Sequence, residues 1–288
     1  MTLADIHSVN HVGMAVRDID STSHRYEQLG FKLTPFSAHS GAWKPGAAVT
    51  KLGSGNRCVM FANNYLEILA NENPDKPVER LAGFLNHHQG GHIICFGSED
   101  LHSVEKRLLA NNLKTSGVLP LQRDVDTPSG THTAKFERMQ FAPDESPEGY
   151  IQAAKHLTPD YIYQPRYIDH PNGCKELSNT ILVVDDMAKF KQRYQVYTNV
   201  TPEDKDGILT FHFDLCSRLT IMTQAHAIQH LPGTLYPPIP GIAGVGFRCA
   251  DLPAQATRLR SSRIPFIEVN QTLVVPAEEA CGIAVVFE

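Results

Sequence analysis

His11 and His92 each open a short apolar run, and each is followed seven positions later by an acid, Asp18 or Glu99, in NHVGMAVRDID (10–20) and GHIICFGSEDL (91–101). A third residue of related chemistry, Glu67, stands inside the apolar stretch YLEILA (65–70). Neutral imidazoles and a carboxylate are the ligands a borderline divalent ion prefers. An unpaired carboxylate buried in such a stretch costs several kcal/mol, a cost that a metal or a neighbouring cation relieves. Each residue also has a plainer reading. His11 would be a strand-opening histidine satisfied by backbone, Glu67 would face water from a one-sided sheet, and His92, following NHHQGG, would sit at the surface.

Elements must hold these side chains, and their order repeats. VGMAV after His11 reads as a buried strand, and Asp18 or Asp20 caps a helix near 19–29 that Gly30 ends. FKLTPF (31–36) reads as a strand before a loop rich in Gly, Ser and Pro. NRCVMFA (56–62) and YLEILA then flank Asn63-Asn64, a hairpin turn signal. The second pass has HIICFG (92–97), a helix over 99–112, VLPLQR (118–123), HTAKFERMQF (132–141) with period two, and YIQAAKH (150–156). Two weaker copies start at SNTILVVDD (178–186) and GIAGVGFRCAD (241–251). The spacing therefore predicts four βαβββ units, an α+β chain. The proline-bearing segment HLTPDYIYQPRYIDHPNG (156–173) divides it into a domain over 1–156, a linker over 157–173 and a domain over 174–288.

Composition narrows the classes. The chain of 288 residues is 42% hydrophobic and 20% charged, enough to bury a substantial core without staples. A net charge of −5 gives no electrostatic case for nucleic acid or an anionic membrane as partner. No run approaches the ~18 apolar residues that span a bilayer. MTLADIHSVN has neither a basic segment nor an apolar h-region, so a cytoplasmic enzyme or binding protein is expected. Six cysteines, at 58, 95, 174, 216, 249 and 281, form no C-x-x-C pair and read as reduced core thiols. Gly53-Ser54-Gly55 is too short to argue phosphate binding, and Phe36 and Trp43 are candidates to wall a pocket, with core or loop packing as the plainer reading.

Four βαβββ units in two pairs resemble the vicinal oxygen chelate superfamily, which holds glyoxalase I, extradiol dioxygenases and the fosfomycin and bleomycin resistance proteins. Within it the chain is similar to the glyoxalase-like domain proteins. HVGMAVRDIDSTSHRYEQLGF, GSGNRCVMFANNYLEILA and HLTPDYIYQPRYIDHPNG carry that likeness. The resemblance implies two paired half-open barrels. It places the superfamily's four metal-ligand positions on His11, Glu67, His92 and Gln152, with spacings of 56 and 60 residues in the two units. Gln152 departs from the usual carboxylate, and His156, which shares its strand parity, is the alternative fourth ligand. His39 in SAHSG and Asn56-Arg57 in GSGNR match stretches of the same group and are candidates for substrate contact, with turn chemistry as the plainer reading.

The implied activity is a divalent-metal-dependent lyase or isomerase (Zn, Ni, Mn or Fe) on a small molecule with vicinal oxygens. The ion would stabilise an enediolate and Glu67 would carry the proton. Besides a degenerate structural or regulatory module, two alternatives stay open. One is a metal-free binding protein of the antibiotic-sequestering kind, which an aromatic content of 8% and a single Trp disfavour. The other is an Fe(II) extradiol-type dioxygenase, whose triad usually lies in the second pair of units. Residues 174–288 lack the ligand set, with Ser178 or Asn179 and Gly244 at the opening positions. That half is expected to serve stability, to cover the first half or to form a homodimer.

Overall fold

The computed structural model describes residues 4–143, 145–215 and 217–288. Met1 to Leu3 of the N-terminal segment and Cys216 of the cysteine expectation lie outside the described residues. The first unit runs β1 (Ser8–Ala15), α1 (Ile19–Gln28), β2 (Ser37–Gly41), β3 (Thr50–Met60) and β4 (Tyr65–Asn71). A helix α2 (Glu79–His87) leads to β5 (Gly90–Gly97), α3 (Leu101–Ala110), β6 (Leu119–Thr127), β7 (Gly130–Gln140) and β8 (Tyr150–His156). Two single turns, α4 (Pro159–Ile162) and α5 (Pro165–Ile168), precede β9 (Cys174–Val183), α6 (Met187–Thr198), β10 (Glu203–Lys205), β11 (Ile208–His212) and β12 (Arg218–Met222). After α7 (Gln224–His230), the last unit is β13 (Gly241–Cys249), α8 (Leu252–Ser261), β14 (Ile267–Val269), β15 (Thr272–Val275) and β16 (Ala284–Phe287). No helix among the described residues is long and apolar enough to cross a membrane.

The chain folds as α+β with four βαβββ units. Within a unit the first strand pairs parallel with the last, β1 with β4 and β5 with β8. β1 then pairs antiparallel with β5 across the pseudo-twofold, and β2 pairs with β6 at the far side, so the first eight strands close into a ring. The half-open form expected of both barrels thus describes only the second, whose sheet ends on β10 and β14. The closing strand lies where the sequence reading placed a loop, at 37–41, while 31–36 forms no strand. Val9, Val12, Met14, Ile94 and Phe96 point away from the ring interior into the core beneath the helices. That face supplies most of the apolar burial.

The expected linker is packed rather than loose. His170 Nε2 donates to the Met60 carbonyl at 2.8 Å, and Lys32 N–H donates to its Nδ1 at 3.0 Å. Asn172 Nδ2 donates to the Leu29 carbonyl at 3.1 Å. Asn64, in the β3–β4 turn, bonds both backbone groups of Leu177 in β9, donating to its oxygen at 2.8 Å and accepting from its nitrogen at 3.1 Å. Asn64→Ala should therefore cost about 2–4 kcal/mol by leaving two buried backbone groups unpaired. Urea unfolding measures it, and a loss below ~1 kcal/mol would show that water replaces the amide.

The interior of the second barrel is filled. Ile181, Val183, Met222, Ala284 and Val286 close against Ala227 and Leu231 of the α7 region. Its register puts Asn179, Thr220, Gly244 and Val286 at the places that His11, Glu67, Ile93 and Gln152 occupy in the first barrel. Thr220 Oγ1 donates to Asn179 Oδ1 at 2.9 Å, which satisfies both side chains locally.

Candidate functional site

The closed ring encloses a partly open cavity. It brings together His11, His39, Asn56, Glu67, Gln152 and His156. Strand alternation selects them. His11 and Gly13 on β1 face in, as do Tyr65, Glu67 and Leu69 on β4 and Gln152, Ala154 and His156 on β8. Gly13 is required here, because a Cβ would lie 2.8 Å from Ile93 Cβ and 3.0 Å from Glu67 Oε2. His39 is a strand residue of β2, opposite Arg123, and not the loop residue expected.

Glu67 is held from one side only. Asn56 Nδ2 donates to its Oε1 at 2.6 Å, and Arg123 Nη1 donates in turn to Asn56 Oδ1 at 2.7 Å. His11 Nε2 stands 3.9 Å from Glu67 Oε2, and His39 Nε2 stands 3.7 Å from Oε1. Asn10 Nδ2 donates to the Tyr163 hydroxyl at 2.9 Å, which turns its Oδ1 toward His11 Nδ1, also at 2.9 Å. His11 therefore donates from Nδ1, and its Nε2 lone pair faces the cavity. Tyr65 stacks on His11 at 4.5 Å between centroids. His156, stacked on Tyr163 at 5.4 Å, has no hydrogen-bond partner on either ring nitrogen among the described residues, and neither has Gln152 Oε1.

Two expected site residues lie elsewhere. His92 points out of the ring, stacked on Phe84 at 4.7 Å, with Nε2 donating to the His88 carbonyl at 2.9 Å. The cause is a one-residue slip in matching the two halves. Asp18 caps α1 and Asp100, not Glu99, caps α3, so the halves are offset by 82 residues and His11 matches Ile93. A shift of one residue in a strand turns a side chain to the other face. Arg57 also faces out, its Nη2 3.3 Å from Asp20 Oδ1, because its neighbour Asn56 takes the inward parity. Trp43 is 57% exposed and walls no part of the cavity.

The four-ligand metal set consequently does not form. Its two halves supply His11 and Glu67 on one side, and an isoleucine and a neutral amide, Ile93 and Gln152, on the other. Among the described residues no three His, Cys, Asp or Glu side chains converge on one point as a metal requires. Sequence reading also missed three cations that line the same cavity, Arg80, Arg123 and Arg138. Arg123 shares its strand parity with Leu119 and Leu121, and Arg138 with Ala134 and Phe136, so a charge on the apolar phase of two strands was the available signal. Cys58 and Cys95 are buried core thiols, as expected, and burial pushes Cys58 up to about 12. Cys174 is buried as well, whereas Cys249 and Cys281 are partly exposed.

Burial keeps the cavity imidazoles neutral. It lowers His11 to about 3 with help from Arg123, and His39 to about 4 against the pull of Glu67. His156 falls to about 3, chiefly through burial, with the positive charge of Arg123 acting in the same direction. The aromatic rings of Tyr65, Phe136 and Tyr163 also face it. An unfolded histidine titrates near 6.5, so between that pH and about 3 the unfolded chain binds the extra proton. This contribution is complete above ~6.5 and is lost as pH falls. At pH 5 each such histidine should cost about 2 kcal/mol relative to pH 7. His156→Gln should flatten the stability-versus-pH curve by roughly that amount. Identical pH 7 to pH 5 losses in urea unfolding of the two proteins would contradict the neutral, buried state of His156.

A family model described as a glyoxalase-like domain matches residues 9–198. No curated protein matches the chain. Among solved structures, a hypothetical protein from Staphylococcus aureus is 13% identical with a TM-score of 0.68, the match covering 98% of this chain and 99% of that one. A manganese(II)-bound glyoxalase from Novosphingobium aromaticivorans is 12% identical with a TM-score of 0.59, over 99% of this chain and 82% of that one. A fusion of a xylose isomerase-like TIM barrel with a 4-hydroxyphenylpyruvate dioxygenase is 12% identical with a TM-score of 0.59, and this chain spans 50% of its length. At these identities the likeness is one of fold.

Proposed function

Because the chain belongs to the glyoxalase-like domain family of the vicinal oxygen chelate superfamily, we propose that its first barrel is an enzyme site moving a proton on a small molecule with adjacent oxygens. The observation that carries this reading is the free Oε2 of Glu67, a residue only 7% exposed, facing the bare Nε2 of a neutral His11 across 3.9 Å. Two acceptors side by side suit an acidic C–H and the neighbouring O–H of a substrate lying across them.

Glu67 acts as the base. Asn56 fixes Oε1, so Oε2 is the atom that takes a proton from the carbon beside a substrate carbonyl. His11 accepts a hydrogen bond from the neighbouring hydroxyl and aligns it. The developing enediolate oxygen needs N–H donors, and neutral His39 and His156 each carry one N–H. Returning the proton to the adjacent carbon, with the hydroxyl proton passing to the former carbonyl oxygen, completes an isomerisation, and expelling a leaving group instead completes an elimination. The test follows the proton directly: small 2-hydroxyketones and 2-oxo or 2-hydroxy acids are incubated with the protein in D₂O, and loss of the C–H signal is followed by NMR. Exchange that depends on Glu67 supports the reading, and none across the panel overturns it.

A second reading has its own observation. Donors sharing one ion at ~2.1 Å bonds stand roughly 3–3.4 Å apart. His11 and His39, at 3.9 and 3.7 Å from the Glu67 oxygens, are a few tenths of an ångström from that spacing. Two histidines and one carboxylate are the donor set of lyases and of Fe(II) dioxygenases alike, and a divalent ion there would act as a Lewis acid toward the substrate oxygens. Ile93, Gln152 and three nearby guanidiniums weigh against it, and metal analysis of the purified protein decides between the two.

A further inference from the structure

We propose that this cavity takes a dianionic organic molecule, one oxyanion group held by Arg123 and the other by Arg138 with Arg80. The proposal rests on the reading of the barrel as a small-molecule site and names its substrate class. Arg123 is 5% exposed and Arg138 is 4% exposed, yet among the described residues none of the three arginines has a carboxylate within ion-pair distance. Their partners are neutral. Arg123 donates to Asn56 Oδ1 at 2.7 Å and lies 5.9 Å from the centroid of the Phe136 ring. Arg138 donates to the Tyr150 hydroxyl at 2.7 Å. Arg80 lies over the Tyr150 ring at 5.2 Å, and its buried Nε has no partner among the described residues.

Among the described residues Glu67 is the only acid lining the cavity, so three positive charges face one negative charge. Buried charge without a counterion is strongly unfavourable, and folded proteins avoid it unless the counterion arrives with a ligand. A surplus of two positive charges matches a dianion. The register sets the arrangement. Arg123 pairs across the β6–β7 ladder with Ala134, and Arg138 stands four residues further along β7, so their Cα atoms lie roughly 14 Å apart. Phe136 lies between them on the inward face. The cations therefore bracket the cavity instead of forming one cluster, and Glu67, His11 and His39 line the space they enclose. Guanidinium forks bind carboxylates and phosphates equally well in geometry, so the shared requirement is two oxyanion groups at the two ends of a short molecule.

Isothermal titration with succinate, 2-oxoglutarate, 3-phosphoglycerate, inorganic phosphate and the diamide of succinate tests this. The dianions should bind at least ~10-fold more tightly than the diamide, and the phosphate ester compared with the dicarboxylates tells which oxyanion is preferred. R123Q and R138Q should each weaken the best dianion by ~10-fold or more, while raising or preserving the melting temperature of the ligand-free protein. Dianion binding by wild-type protein that catalyses no proton exchange would fault the catalytic reading alone. Equal binding of the diamide, or no binding by any probe together with lower melting temperatures for R123Q and R138Q, would make the guanidiniums structural and overturn the proposal.

Discussion

Glu67→Gln should reduce the rate of proton exchange by about 10²–10⁴-fold, the range a positioned general base contributes. The substitution is nearly isosteric, and a glutamine oxygen still accepts the Asn56 amide that the carboxylate accepts at 2.6 Å. What is lost is the basic lone pair on Oε2, the atom facing His11. No other lining residue replaces it. His11 and His156 are held near 3 and His39 near 4 by burial, so each is a weaker base than an ordinary imidazole. The variant should keep its fold, because the side-chain volume is unchanged in a cavity rather than in packed core. A rate within tenfold of wild type would remove Glu67 as the base and leave binding as the function of the barrel.

How much of this was legible in the sequence differs between fold and site. The repeated units, β8 to the residue and most strands to within a few positions followed from period two, the Asp18 cap and Gly30, whose φ of +90° ends α1. Those signals are local. Matching one half to the other is not, and both Glu99 and Asp100 could open α3. Asp100 does, since its side chain accepts from Ser103 N–H, and that single step exchanges His92 for Ile93 at the inner face. The arginines were hidden for a different reason. A charged residue in a strand reads as its wet face, and only the closure of β2 against β6 makes the inward face of β6 a cavity wall. The strand placement of His39, though not its candidacy for the site, escaped in the same way, since five residues of SAHSG between loops carry no strand periodicity of their own.

If the metal set fails only because of that half, restoring it should restore the metal. Ile93→His with Gln152→Glu places an imidazole and a carboxylate at the positions that pair with Tyr150 and Cys95, the counterparts of His11 and Glu67. Four donors would then face one point from the two sides of the pseudo-twofold, a full tetrahedral or octahedral shell for a divalent ion. The double variant should bind zinc or manganese stoichiometrically and at least ~10³-fold more tightly than wild type, because each deprotonated first-shell donor adds directly to the binding free energy. Histidine is close to isoleucine in volume and Gly13 offers it the same bare backbone, so the change should cost only about 1 kcal/mol of stability without metal. Two results would count against the account. Wild-type protein that already carries one ion per chain, removable by chelator with a fall in melting temperature, would give the site to His11, His39 and Glu67. A folded double variant with wild-type affinity would mean that the positive field of Arg80, Arg123 and Arg138, and not the missing donors, decides what the barrel holds.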